Sequence, residues 1–358
     1  MMAQIASVMR LELRKTFFSK RGLWVYLLAF APALLYLIHA IDVTRDHEHR
    51  QALAAAHPVA PDTLRAIHEG MTIEAVVAAA GEPYAERTIP AGRRMRGGGA
   101  FRNLAIYSYT DGESDFAFVF VDGQLERINE QDRCNLKKDS AIFATVFQFF
   151  YLRLAVFFGC VGIFMNLFRG EMLDKSLHFY LLAPLRREVL LAGKYLAGLV
   201  AAVTIFVTGT ALQIAALSWH FDPGAVGEYL HGPGWGQIAA YLGVSALACI
   251  GYGSIFLAAG LVFRNPILPA AGVLLWESIN LFLPASLKKI SVIFYLQALC
   301  PVVASPDRGL SLLQRLLISS AEPPAAWIAI TGLLAVTAAV LALAARRARV
   351  LEINYGTE

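Results

Sequence analysis

Apolar residues run almost unbroken through positions 23–41, 141–168, 194–219, 237–263, 267–286 and 327–345. An α-helix needs about 20 apolar residues to cross the hydrocarbon of a bilayer. The six runs therefore predict six transmembrane helices. Residues 1–22 read differently. Ile5, Val8, Met9, Leu13 and Phe17 recur at helical spacing, with Arg10, Arg14, Lys15, Lys20 and Arg21 between them. That pattern predicts an amphipathic helix over 4–20 that lies in the interface and favours an anionic leaflet. The run 23–41 is longer than the apolar core of a cleaved signal peptide and reads as a retained anchor. Basic residues before it, and Arg346, Arg347 and Arg349 after the last run, place both termini, including the tail 346–358, in the cytoplasm.

Two stretches interrupt the membrane pattern. Residues 42–140 are polar and long enough for a small domain. Within them Pro61–Ala80 reads as a helix capped by Asp62 and Thr63 and ended by Gly81-Glu-Pro83. Tyr84–Ile89, Leu104–Tyr109, Phe116–Val121 and Gln124–Ile128 read as strands, with Asp111-Gly112 and Asp122-Gly123 as hairpin turns. This predicts an α+β insert outside the cytoplasm. The loop 220–236 also reads as outside. The second interruption, 287–325, carries Lys288, Lys289, Arg308 and Arg315. Its apolar part 290–304 is too short for a span and reads as re-entrant or interfacial.

The most polar part of the membrane half is 169–193. Glu171 to Leu182 can form a short amphipathic helix with Met172, Leu173, Leu177, Tyr180 and Leu181 near one face. Pro184 stops it, Arg186 and Arg187 follow, and Gly193-Lys194 opens the next apolar run. Lys194 reads as a snorkelling side chain. Inside the runs, Arg153 and Glu277 fall near mid-membrane, about 18 and 15 Å along their helices by the helical rise. A lone charge there costs several kcal/mol, so each needs a partner or a wet cavity. The expectation is that the two pair, within one subunit or across a dimer, and line a translocation route.

Composition narrows the function classes. Hydrophobic residues make up 57% of the 358 and charged residues 16%, below the roughly 25% of a soluble domain. A net charge of +4 does not suggest nucleic-acid binding. Cys134, Cys160, Cys249 and Cys300 lack metal-ligand spacing. A disulfide between Cys134 and Cys300 is one option, two free thiols the other. Asp46-His-Glu-His49 is not the helical zinc-protease motif and reads as a solvated charge cluster. Gly251-Tyr-Gly-Ser254 reads as close helix packing rather than a protease site. Leu191-Ala-Gly-Lys-Tyr195 fails as a phosphate loop, because Glu188 stands where Gly is needed and Tyr195 where Ser or Thr holds magnesium. No catalytic, cofactor or metal residues are assigned.

The acidic residue, short helix, L-x-P-x-R-R and G-K of 171–194 resemble the coupling segment of ABC-2 type exporter permeases. The matching positions are Glu171, Leu182, Pro184, Arg186, Arg187, Gly193 and Lys194, with Leu177 on the helix face. An elbow helix and six spans extend the resemblance over nearly all the chain outside the insert. It implies an all-α polytopic membrane protein with a small α+β insert, working as a permease subunit in a bacterial inner membrane. It also implies a separate ABC ATPase that holds ATP and magnesium, and a second permease copy, as a homodimer or a heterodimer. Within the insert, G-M-T-x-x-x-V, G-E-P, Y-S-Y and F-V-F-V-D-G-Q-L resemble the BamE (SmpA/OmlA-like) periplasmic domain over 64–128. That implies contact with a protein, or gating, outside the membrane rather than catalysis. The competing expectation is a membrane-anchored assembly or sensing protein that does not transport. The transported substrate is not specified by these residues.

Overall fold

The computed structural model describes residues 2–18, 22–89, 103–132, 135–173, 186–263, 265, 267–302 and 323–349. The chain divides into two compact units. The first holds 1–36, 138–218 and 223–358, the second 37–137 and 219–222.

The first unit is helical. Helix α1, Met2–Phe18, is the amphipathic element. Helix α2, Leu23–Ala56, continues well past the apolar run at 41, and its residues from Leu37 belong to the second unit. The polar residues 42–56 keep the helix because they include good helix formers such as Glu48, Arg50, Gln51 and Ala54, with no Gly or Pro. They are therefore not loop, and the Asp46–His49 cluster is helical. The second long helical stretch starts as α5, Leu136–Val146, and turns into a π-helix at Phe147–Val156. It returns to α at Phe157–Cys160 (α6), is π again at Val161–Met165, and ends as α7, Asn166–Leu173. Helix α8, Arg187–Ser218, follows. Helix α9, Pro223–Tyr229, leads through a π turn at Leu230–Gly234 into α10, Trp235–Val262. Part of the expected 220–236 loop is thus helical.

Among the described residues, five helices are long and apolar enough to cross a membrane: Leu23–Ala56, Lys138–Phe168, Arg187–Ser218, Pro223–Val262 and Ala326–Arg349. The last is α14. The predicted fifth span, 267–286, differs. Its helix, α11, covers only Ile267–Ile279, 13 residues. At the helical rise that is about 20 Å, short of the roughly 30 Å of hydrocarbon. The α-helix gives way to a 3-10 turn at Asn280–Phe282, and Pro284 precedes the short α12, Ala285–Lys288. Helix α13, Val292–Leu299, then buries Val292, Ile293 and Leu296 in the helical core. The short apolar element expected within 290–304 is present, and it packs inside the bundle.

Small residues decide how closely the helices approach. A Cβ on Gly159 would stand 2.1 Å from the Phe206 ring, and one on Gly253 would stand 2.5 Å from Phe164. On Gly209 it would meet the Ala29 carbonyl oxygen at 2.7 Å and the Tyr151 hydroxyl at 2.6 Å. Cys160 and Cys249 are buried among these side chains, as their apolar surroundings predict. Cys300 is buried too, its thiol donating to the Leu296 carbonyl at 3.4 Å; Cys134 lies outside the described residues.

The second unit carries one antiparallel sheet in the order β1-β2-β3-β4: Ala85–Ile89, Leu104–Thr110, Ser114–Val121 and Gln124–Asp132. Alternation puts Phe116, Phe118 and Phe120 on one face, over Leu64, Val76 and Ala80 of two short helices and Ile67 just after the first. These are α3, Pro61–Ala66, and α4, Ile73–Ala80, so the single helix predicted over 61–80 is interrupted. The cap is Thr72, whose hydroxyl accepts from the Ala75 N–H at 3.3 Å, rather than Asp62 or Thr63. Gly81 ends α4 at φ +78°, a conformation that suits glycine. Asp122 and Gly123, at φ +50° and +84°, turn β3 into β4 where the Asp-Gly pair predicts it.

Candidate functional site

The site that draws most of the polar residues together lies in the helical unit, where α1, α7 and α8 meet. Lys194, one turn into the apolar part of α8, is fully buried. Its ammonium stands 2.9 Å from Glu12 Oε1 on α1 and 2.8 Å from Glu171 Oε2 on α7. It also donates to the Leu167 carbonyl at 2.8 Å and lies 5.3 Å from the centre of the Phe168 ring. Lys15, one turn along α1 from Glu12, reaches Glu171 Oε1 at 3.2 Å and Glu12 Oε1 at 3.9 Å. Among the described residues, two carboxylates and two ammoniums thus meet between three helices.

Local sequence makes this possible. Glu12 and Lys15 share a face of α1 by their three-residue spacing. Gly193 lets α1 come close, since a Cβ there would stand 2.8 Å from the Val8 side chain. A buried ion pair is tolerable only when each partner is matched and hydrogen-bonded, and Lys194 meets that condition with two carboxylates and a carbonyl. Burial pushes the Glu171 carboxyl above its ordinary range, and the Lys194 ammonium pulls it part of the way back.

These contacts correct one expectation. Lys194 does not snorkel: its head is turned inward and paired. Glu171 turns into the same network, with 6% of its surface exposed. Arg187 also has an intramolecular role, donating to the Arg349 carbonyl at 2.7 Å and to that of Ala348 at 3.5 Å. Both carbonyls lie at the C-terminal end of α14, where a cation is favourable. Arg349 in turn donates to Glu188. Arg186 is exposed at the start of α8. Leu177, Leu182 and Pro184 lie outside the described residues.

A cavity of about 390 Å³ adjoins the network. Glu12, Lys15 and Glu171 form part of its wall, with Val25, Tyr26 and Ile205 among the apolar residues.

Within one subunit, no ion pair or hydrogen bond joins Glu277 to Arg153 among the described residues. Within this chain's described residues, Glu277 accepts from the Ser291 hydroxyl at 2.6 Å, the Val292 N–H at 3.0 Å and the Ile293 N–H at 3.0 Å. Asn280 braces Ser291 through its side-chain amide. Glu277 is thus a cap for the N-terminus of α13, supplied from α11. Burying the carboxylate is offset because three donors meet it at the positive end of a helix. Arg153 lies on the π-helical stretch, its guanidinium 5.4 Å from the centre of the Phe149 ring. Its Nε is buried without a hydrogen-bond partner among the described residues. Sequence reasoning missed Glu12, which reads as one more polar position on an amphipathic helix. The only signal was an acidic residue among the basic ones of 1–22.

No family model matches the chain, and no curated protein or solved structure does either. Five apolar helices long enough to span make it a multi-pass helical membrane protein with a small antiparallel sheet.

Proposed function

We propose that the chain is the transmembrane permease subunit of an ABC-2 type exporter in a bacterial inner membrane, with both termini cytoplasmic. In this reading a separate ATPase subunit holds ATP and magnesium and docks on 169–193, and a second copy of the permease completes the path. One observation carries the proposal: the Glu12–Lys15–Glu171–Lys194 network ties α1 to both helices that flank residues 174–185. A push on that segment would reach α7 and α8 together and would drag α1 with them. An interface of paired charges has discrete arrangements, which suits a two-state switch biased by nucleotide. The role of the carboxylate is thereby refined. Glu171 would transmit the motion, while Arg186, which is exposed, is the better candidate for partner contact.

The test is to purify the tagged full chain in mild detergent and identify co-purifying proteins by mass spectrometry. A stoichiometric ATPase with the natural chain, lost in Arg186→Glu, supports the reading. Its absence from both sinks it. One observation favours a second reading, an anchored assembly or sensing protein. The sheet domain has its own core around Phe116, Phe118 and Phe120. Capture of an extracytoplasmic protein with no ATPase would be the outcome for that reading.

A further inference from the structure

Arg153 falls at the midpoint of Lys138–Phe168, a helix long enough to cross a membrane, and makes no hydrogen bond or ion pair among the described residues. We infer that Arg153 and Tyr252 bind the anionic headgroup, a phosphate or a carboxylate, of a membrane amphiphile. The inference rests on the helical unit alone and does not require the exporter reading.

Position sets the demand. A lone guanidinium at that depth is strongly penalised and persists where a partner or a wet cavity meets it. The Arg153 guanidinium lies over the Phe149 ring at 5.4 Å, and its Nε is buried with its N–H unmet among the described residues. Tyr252, on α10, is in the same condition. It has no exposed surface, and its hydroxyl has no hydrogen-bond partner among the described residues. The two groups lie within electrostatic reach of each other. Buried donors are normally satisfied, so two unmet ones on neighbouring helices call for an oxygen acceptor.

The spans do not supply that acceptor. Within the five long helices, carboxylates lie near helix ends or on the polar tail of α2: Asp42, Asp46, Glu48, Asp139, Glu188 and Glu228. Glu277 acts on Arg153 through space. It is 4% exposed, however, and already accepts from Ser291, Val292 and Ile293. A second copy packed over this face would bring the same set. The fork of a guanidinium matches the paired oxygens of a carboxylate or a phosphate, which gives the headgroup. The flank gives the rest of the ligand. Phe149 and Phe150 are 37% and 39% exposed, so the surface beside Arg153 is apolar and suits an acyl tail. A soluble anion gains nothing from it. The backbone agrees. Arg153 sits in ten residues of π-helix, Phe147–Val156, a rare winding that occurs frequently at functional sites.

The test titrates the full chain, delipidated in a neutral detergent, under native mass spectrometry. The probes are dioleoyl phosphatidic acid, oleate and dioleoyl phosphatidylcholine, with inorganic phosphate as the soluble arm. At least one of the two anionic amphiphiles should fill one saturable site about tenfold or more tighter than phosphatidylcholine. The tighter of the two names the oxyanion. Inorganic phosphate should not saturate the site. Arg153→Gln should weaken it about tenfold, and Arg153→Lys and Tyr252→Phe by smaller factors. Arg346→Gln, at the exposed end of α14, should leave it unchanged, which separates it from anionic lipid gathered at basic surface residues. Anions no tighter than phosphatidylcholine overturn the inference, as does saturation by inorganic phosphate. Unchanged binding by a folded Arg153→Gln, or an equal loss in Arg346→Gln, does so too. Rescue of Arg153→Glu by Glu277→Arg in thermal melts also overturns it, because the guanidinium would then belong to a carboxylate of this chain or of a second copy. If Arg153→Gln does not fold, Arg153→Lys and Tyr252→Phe decide alone.

Discussion

The Lys194 ammonium stands 2.8 Å from Glu171 Oε2, and no part of the lysine side chain reaches the surface. Removing the lysine head by Lys194→Met would leave Glu12 and Glu171 facing each other with one cation between them. Loss of one partner of a buried pair costs about 3–5 kcal/mol. The variant is expected to melt well below the natural chain in detergent. Glu171→Gln should cost less, because Glu12 still faces Lys194. A double-mutant cycle over Lys194→Met and Glu171→Gln should give a coupling of about 0.5–3 kcal/mol. A coupling of zero would mean that the pair does not hold α7 to α8.

Glu277 is expected to matter as a cap. Glu277→Ala strands the Val292 and Ile293 N–H groups and the Ser291 hydroxyl. Each buried donor left unmade costs about 1–3 kcal/mol. Glu277→Gln keeps an acceptor and should retain part of that stability. Arg153→Met removes no hydrogen bond made by Nε and should be the mildest of the three in thermal melts. If Arg153→Met and Glu277→Ala instead damage the protein equally and a charge swap restores it, a direct pair operates in the assembled state.

Close packing at glycine gives a third prediction. Gly159→Ala drives a methyl into the Phe206 ring, which is itself buried. Overpacking of this kind costs about 1–3 kcal/mol. Gly159→Ala combined with Phe206→Leu should recover part of the loss. The same alanine at Gly243, where nothing lies within 4 Å, should be neutral. A melt of each variant separates the cases.

Alkaline pH probes the sheet domain. Burial, with Tyr107 and Glu82 nearby, pushes the Tyr109 hydroxyl up to about 12, and it donates to the Gly81 carbonyl at 2.9 Å. A group whose folded pKa is raised stabilises fully below its unfolded value, and that stability is lost as pH rises through the folded one. For Tyr109 the window runs from about 10, the unfolded tyrosine value, to about 12. Tyr109→Phe should cost about 1 kcal/mol at neutral pH. The gap between natural and variant domains should close above pH 10 when both are followed by pulse proteolysis. A constant gap across that window would show that Tyr109 ionises as freely folded as unfolded.

Much of the architecture was legible because it rests on local physics. Leu23 onward, Arg187–Ser218 and Ala326–Arg349 are helices because apolar runs of that length have few other ways to satisfy their backbone. The hairpin at Asp122-Gly123 followed from a dipeptide type that tolerates positive φ at both positions. Strand β3 matched alternation, and the helical tail of α2 was missed because a polar composition resembles a loop until its helix propensity is weighed. Breaks were less visible. The predicted span at 267–286 stops at Ile279, where the Asn280–Glu277–Ser291 contacts reward a second helix start more than continued helix. The π-helical stretches along 147–165 left no mark in the residue pattern.

The charged residues divide the same way. Sequence alone determined that this chain is apolar enough to fill a membrane, where most of its long helices fall, and that Arg153 and Glu277 are out of place unless matched. Which residue matches which was decided only by tertiary structure. Glu12 is 182 positions from Lys194, and Ser291 is 14 from Glu277. The cost of burying a charge is a local property that any sequence displays. The partner that offsets it is chosen by helix packing, which brings together side chains that no spacing rule connects.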